Sequence, residues 1–441
     1  MQKSEKTACL KEFAHYCTLN VLGALGLSCY ILADTYFVSK GLGADGLTAL
    51  NLAIPVYSFI HGCGLMTGMG GGTRYSLKKS LSGQEETDRI FTNAVLSAFL
   101  FSALFMVTGI FFTDSIVSLL GADAAVYQMT KTYLRVILLF SPLFLMNNVM
   151  LCFVRNDGAP ELAMRAMLSG SLSNTALDYI FIFPCKMGIF GAVLATGTAP
   201  LISLLMLSPH FLKKKNQFHL IKCRPAWKQL SGIFSSGIPF LVTEVSSGIV
   251  MMIFNTVILK LEGNVGVAAY GIIANISLVV LSIYTGISQG IQPVISRHYG
   301  AGNRGSAMAV LKYALISMLV FSVLIYAGIF LYAGQISSIF NKEHNEILAE
   351  IAVKGLRLYF TACPFAGFNI IISAYYTSCA HPVPANLISM LRGFLVIIPS
   401  AFVFSAVAGM TGVWCAFPCT ELCVSAAGML YFMNMKKCKS I

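Results

Sequence analysis

A chain of 441 residues that is 56% hydrophobic and only 11% charged cannot clothe a water-exposed surface, because soluble domains carry about a quarter charged residues. Its mean hydropathy of +0.75 makes lipid the expected solvent and excludes an ordinary soluble globule. The net charge of +12 would suit a nucleic-acid binder, but the placement of the basic residues excludes that reading too.

Uncharged runs such as Phe13–Ala33, Gly46–Thr73, Ile90–Thr113 and Gly263–Ser296 supply the roughly 20 apolar residues that a membrane-spanning helix needs. Broken at polar and Gly/Pro punctuation, the sequence predicts an all-α polytopic membrane protein with twelve transmembrane helices. They lie near 14–39, 47–72, 90–113, 130–153, 162–183, 188–212, 231–259, 266–294, 309–333, 356–379, 384–407 and 411–435. A membrane barrel would instead show alternation in segments of about 10 residues. The first run is too long for the apolar region of a signal peptide, and no A-x-A-type site follows it.

In chain order, span one carries Asp34 and span two carries Gly68-Met-Gly-Gly-Gly72. No Gly-Lys-[Ser/Thr] follows those glycines and no strand precedes them, so a phosphate loop is excluded and close helix packing is expected. Span four holds Asn148. Asn174 and Asp178 in span five are one turn apart and share a helical face, and Thr196 lies in span six. Glu244, Gln289, Asn369, Arg392 and Glu421 follow in spans seven, eight, ten, eleven and twelve.

The basic residues cluster between these spans. Arg74, Lys78, Lys79 and Arg89 connect spans two and three; Lys213, Lys214, Lys215, Lys222, Arg224 and Lys228 connect six and seven. Lys3, Lys6 and Lys11 precede the first span, and Lys436, Lys437 and Lys439 follow the last. Alternating spans put all of these on one side, while Lys40, Lys186, Lys260 and Lys342 are the main residues opposite. The positive-inside rule then makes both termini and the central connection cytoplasmic. The basic excess is a topology signal facing membrane lipid, with no nucleic-acid-reading module beside it. The 13 cysteines show no metal-ligand spacing, and most lie in apolar spans as small hydrophobes.

A shift of about 221 residues superimposes the halves: Gly188 and Gly191 fall on Gly409 and Gly412, and Gly64 and Gly68 on Gly286 and Gly290. Pro142 with Asn147 and Asn148 falls near Pro364 with Asn369, and Gly83 near Gly302 or Gly305. The repeat divides the chain into an amino-terminal six-helix lobe (1–212), a cytoplasmic linker (213–230) and a carboxy-terminal six-helix lobe (231–441). Six spans per half is an even number, so the repeats are parallel. Transporters built from such repeats place substrate at the repeat interface and alternate its access.

Several motifs in this order carry a family resemblance. Ala33-Asp34-Thr35-Tyr36-Phe37-Val38, Gly41-Leu42-Gly43 and Leu50-Asn51-Leu52-Ala53-Ile54-Pro55 open the first half. Phe153-Val154-Arg155-Asn156-Asp157-Gly158 and Asn174-Thr175-Ala176-Leu177-Asp178-Tyr179 follow, then Gly188-x-x-Gly191-Ala192. The second half has Gly286-x-x-Gln289-Gly290-x-Gln292-Pro293 and Tyr299-Gly300-Ala301-Gly302. Across essentially its whole length the chain resembles the multidrug and toxic compound extrusion family, especially its bacterial damage-inducible and staphylococcal-type branches.

The resemblance implies a secondary active antiporter, not an enzyme, that exports small lipophilic cationic drugs in exchange for Na⁺ or H⁺ by alternating access. It would need no cofactor, act as a monomer and reside in the bacterial inner membrane. Asp34, Asn174, Asp178 and Thr196 would form the cation-coupling site: their oxygens suit Na⁺, and a desolvated carboxyl can carry H⁺. The bland alternative is a pair of buried aspartates that only fix packing. In the repeat Asp34 aligns near Asn255 and Asp178 with Pro399, so the cation site is expected in one lobe. Glu244 and Glu421, with Asn148, Asn369 and Gln289, are candidates for substrate attraction or gating. A lipid or lipid-precursor flippase is the alternative function, with Arg392 the main cation available for a diphosphate. An intramembrane aspartyl hydrolase would need a Gly-x-Gly-Asp signature, which is absent.

Overall fold

The computed structural model describes residues 3–79, 81, 83–341 and 345–438. Lys342 and Lys439 lie outside the described residues, and so do the side chains of Lys3, Lys436 and Lys437. Among the described residues all regular structure is helical: α1 (Lys3–Lys79), α2 (Gln84–Phe111), α3 (Thr113–Leu119), α4 (Tyr127–Leu139), α5 (Ser141–Asn156), α6 (Pro160–Ile182), α7 (Gly188–Leu212), α8 (Trp227–Gly300), α9 (Arg304–Phe340), α10 (Glu346–Tyr359), α11 (Cys363–Ser378), α12 (Pro382–Met390) and α13 (Ile397–Cys438). Backbone groups in a bilayer must be satisfied within the segment, which leaves helices as the available solution.

Seven continuous helical stretches of the described residues are long and apolar enough to cross a membrane, or eight when the bent pair α4–α5 is taken as one span. Three of the stretches turn back on themselves. α1 breaks at Gly43 (φ 70°, ψ −157°), α8 at Gly263 (φ 62°, ψ −153°), and α13 at Ala408–Gly409. Each contributes one more span, and α6 supplies another, which gives the twelve expected. The backbone at Gly43 and Gly263 lies in a region open essentially to glycine alone. The spans run longer than their apolar cores: α9 covers 304–340 where the sequence predicts 309–333. Helix α3 has no counterpart among the predicted elements.

The irregularities repeat as well as the spans. α4 and α5 meet at a 48° bend beside Pro142, and α10 and α11 meet through a 3₁₀ turn, Phe360–Ala362, beside Pro364. Gly188 and Gly409 both have positive φ, 62° and 56°. Gly83 and Gly302 are not equivalent, however: Gly83 caps α2 in an extended conformation, whereas Gly302 has φ 80°.

By internal contacts the chain forms two compact units: Thr18–Val245 with Ser296–Asn303, here the amino unit, and Met1–Cys17 with Ser246–Ile295 and Arg304–Ile441, the carboxy unit. Each unit therefore includes residues from beyond its own sequence repeat. Within the amino unit, glycines let helices touch. A Cβ at Gly70 would strike the Ile233 carbonyl, and one at Gly237 the Met66 carbonyl. A Cβ at Gly68 or Gly72 would crowd Asn148 or Asn156 at 2.7 and 2.6 Å, so the glycine run is a packing device. On α9 the large apolar side chains Ile316, Leu319, Val323 and Leu324 are all more than half exposed, a face suited to lipid.

Candidate functional site

The amino unit brings the four predicted coupling residues together. Asp34 comes from α1, Asn174 and Asp178 from α6, and Thr196 from α7; all are buried, Asn174 and Asp178 completely. The facing of α6 and α7 follows from the short turn between them, which their long antiparallel contact extends along both helices. Gly188 begins α7 with the positive φ that this turn requires.

The carboxyls of Asp34 and Asp178 lie close enough for each to act directly on the other. Two carboxylates this close and this buried repel one another when both are ionised, so the arrangement favours a shared proton or a cation between them. One oxygen of each, Oδ1 in both residues, is buried without a partner. The amide of Asn174 is satisfied when Nδ2 donates to Asp178 Oδ2 at 2.9 Å and Oδ1 accepts from the Thr196 N–H at 3.2 Å. In the opposite orientation Nδ2 donates to Thr196 Oγ1 at 3.4 Å. The amide oxygen then faces Asp178, an arrangement that needs a proton or metal cation between them. Thr196 Oγ1 itself donates to the Ala192 carbonyl at 3.2 Å.

Sequence reasoning missed four neighbours. The Tyr133 hydroxyl lies beside the Thr196 side chain and close enough to both aspartates to feel their charge. Tyr30 and Tyr57 share a hydroxyl–hydroxyl bond of 3.2 Å, and Tyr30 adjoins Asp34. Tyr57 stacks on His61 with ring centroids 5.9 Å apart, and His61 Nδ1 lies 3.5 Å from Glu244 Oε2. Glu244 thus belongs to the amino unit. The sequence repeat assigns it to the other lobe, but the first part of α8 packs with α1, where Gly62 touches the Glu244 Cβ.

The remaining polar candidates divide. Asn148 Nδ2 donates to the Phe144 carbonyl within its own helix at 3.1 Å, and its side chain fills the groove at Gly64. Gln289 is buried on α8 in the carboxy unit. Asn369 and Glu421 meet there: Asn369 Nδ2 donates to Glu421 Oε2 at 2.7 Å and to the Glu421 carbonyl at 2.9 Å. Arg392 grips Glu421 Oε1 through Nε at 3.1 Å and the second nitrogen at 2.7 Å. Arg392 rides on a π-helical turn, Leu391–Leu395, a local widening that often marks functional positions. The described residues contain no group of three or more His, Cys, Asp or Glu arranged to hold a metal ion.

A third cluster fastens the linker. Asp157, at the end of α5, accepts from Tyr75 Oη at 2.7 Å, Lys79 Nζ at 2.8 Å, His210 Nε2 at 3.0 Å and the Gln217 N–H at 2.9 Å. Burial pushes this carboxyl up, but the hydrogen bonds from His210, Lys79, Tyr75 and Gln217 outweigh it and hold it below the ordinary range. Asp88 accepts from the His219 N–H at 2.9 Å, and Thr92 Oγ1 from the Ile221 N–H at 3.1 Å. Linker residues 217–221 are thereby tied to the amino unit.

The sequence model of the MatE family matches residues 21–180 and 239–403. The chain is 25% identical over 432 residues to the multidrug export protein MepA of Staphylococcus aureus, covering 97% of this chain and 95% of that protein. MepA of Staphylococcus saprophyticus is 24% identical over the same length. Among solved structures, a MATE protein in complex with MaL6 superposes with a TM-score of 0.92 at 22% identity over 100% of both chains. A MOP superfamily transporter from Pyrococcus furiosus superposes with a TM-score of 0.90 at 23% identity, covering 97% of this chain and 96% of that one.

Proposed function

The chain belongs to the MatE family of multi-pass membrane transporters, and from that premise we propose that it exports lipophilic cationic drugs in exchange for protons carried by the Asp34–Asp178 pair. The observation that carries the coupling is the contact of two buried carboxyls, each with an unpartnered oxygen. A proton between them is supported by the amide orientation that satisfies both ends of Asn174, in which its N–H is directed at Asp178. Exchange with Na⁺ is the second reading, favoured by the opposite amide orientation, which offers the Asn174 oxygen as a further hard ligand.

Drug export is supported by the names of the MepA relatives, which match along nearly their whole length. The row Asp34, Tyr30, Tyr57, His61 and Glu244 gives the coupling pair a polar connection to a partly exposed carboxylate. Glu244 then attracts the cationic drug, and arrival of positive charge there disfavours a proton at the aspartate pair. A flippase for diphosphate-bearing lipids is less well supported, because Arg392 is already neutralised by Glu421. The transporter sits in the bacterial inner membrane with both termini and the linker cytoplasmic, a reading supported by the placement of the basic clusters.

The test is drug flux in proteoliposomes of the purified full chain, driven in turn by a pH gradient and by a Na⁺ gradient. The proton reading expects flux with the pH gradient alone. Flux with the Na⁺ gradient alone replaces it with the second reading, and no flux of any cationic drug under either gradient overturns export.

A further inference from the structure

Arg155 is the most anomalous charge in the amino unit. It is 2% exposed, yet no carboxylate and no oxygen of any described residue contacts its guanidinium. One terminal nitrogen points at Met69 Sδ, 4.0 Å away; the other points at Met167 Sδ, 3.9 Å away; Nε has no partner. Thioether sulfur is a weak acceptor and neutralises nothing. Arg155 lies in the last turn of α5, where the helix end supplies about half a negative charge. That end-charge reduces the imbalance without removing it.

Such a group is costly to keep. A buried charge without a partner is strongly unfavourable, and an apolar residue of similar size is often the more stable choice. Here the apolar alternative is also the obvious fit, since Met69 and Met167 already line the site and Met167 packs against Gly23. Intramembrane charges retained against this cost default to functional explanations.

Its position suggests which. Arg155 stands where α1, α5 and α6 meet, within the last turn of α5. One guanidinium nitrogen is level with Met167 on α6, and from Met167 to Asp178 that helix rises roughly 16 Å at about 1.5 Å per residue. The two are therefore separated by about half of a hydrocarbon layer roughly 30 Å thick. The linker staple at Asp157 closes the same end from outside, two residues on from Arg155.

We propose that Arg155 is the ion barrier of the amino unit: a bare positive charge that stops cations passing between the Asp34–Asp178 pair and the membrane face at the α5–α6 turn. A coupled exchanger fails if its cation can cross without drug, and packing alone does not exclude protons or small ions as an uncompensated charge does. The inference rests on the proposed cation site in the same unit.

The test is drug-free cation flux in proteoliposomes of full-length protein, read with an internal pH-sensitive or Na⁺-sensitive dye. Wild type should be tight. Arg155→Met should leak at least tenfold faster than wild type while its thermal midpoint stays at or above the wild-type value. Arg155→Lys, which keeps the charge, should remain tight. Arg155→Met combined with Asp34→Asn should lose most of the leak, because the pathway runs through the carboxyl pair. A tight Arg155→Met protein that still exchanges drug overturns the barrier, as does equal leakage through Arg155→Lys. Should Arg155→Met not fold, Arg155→Gln carries the same test, and failure of both to fold overturns it by making the charge a structural requirement. Failure of the underlying export reading looks different: wild type would then show no gradient-driven drug flux at all.

Discussion

Asp34 and Asp178 were legible as a site because an acid inside an apolar span stands out against its background. Their neighbours were not. Tyr30, Tyr57 and Tyr133 are three among 18 tyrosines, and nothing in their spacing marks them, since they meet across helices whose rotation the sequence does not specify. Asp34→Asn should reduce gradient-driven drug efflux to background while equilibrium drug binding to purified protein weakens much less. Asp178→Asn should behave alike, and the double variant should be little worse than either, because residues of one site act as a unit. The Glu421–Arg392 pair calls for a different measurement. Its side chains are 2% and 12% exposed, so Glu421→Gln or Arg392→Met alone should destabilise the protein by about 3–5 kcal/mol, and the double variant by clearly less than the sum. Thermal unfolding of the four proteins closes that cycle. Asp157 adds a pH signature outside the membrane. Its folded pKa is depressed, so its contribution to stability is present above the unfolded value of about 3.9 and is lost as pH falls through the folded value. Asp157→Asn should lower stability at neutral pH and flatten its decline toward pH 3, as proteolysis of the linker would report.

At the scale of elements, apolar runs located the spans but not their ends, because helices continue through polar interfacial residues wherever the backbone is not turned. The turns at Gly43 and Gly263 fall inside the predicted breaks between spans one and two and between spans seven and eight, but the sequence did not show that the helical backbone continues up to a single non-helical glycine at each. The α4–α5 bend and the 3₁₀ turn between α10 and α11 were foreshadowed only by Pro142 and Pro364. Gly263→Ala should destabilise by about 1–3 kcal/mol, since alanine cannot adopt φ 62°, ψ −153° without strain. Gly271→Ala, in the same long helix with open space around its Cβ, should be neutral or stabilising by up to about 1 kcal/mol. Thermal melting of the two purified variants makes the comparison. Glu244 shows the limit of repeat arithmetic at this scale. A shift of 221 residues correctly pairs spans, yet the first part of α8 packs with the amino unit, and so Glu244 stands beside His61.

For the whole molecule, composition and the parallel repeat made the twelve-span fold legible, while the compact units could not be read that way. Contacts between distant segments, such as Gly70 with Ile233 and Gly237 with Met66, come from backbones close enough to exclude a Cβ, and no periodicity announces them. The resulting membership of the units has a consequence for biogenesis. The amino unit is completed by 227–245 and 296–303, which leave the ribosome well after its own six spans. Insertion can proceed span by span, but this unit cannot finish packing when the first repeat has been synthesised. A fragment ending at residue 226 should remain protease-sensitive in the membrane, whereas one ending at residue 303 should acquire the protection of the amino unit. Between those two chain lengths the nascent protein carries the carboxyl pair on a unit whose helix interface is unfinished, and this interval is where a membrane chaperone or a quality-control protease has its best opportunity to act.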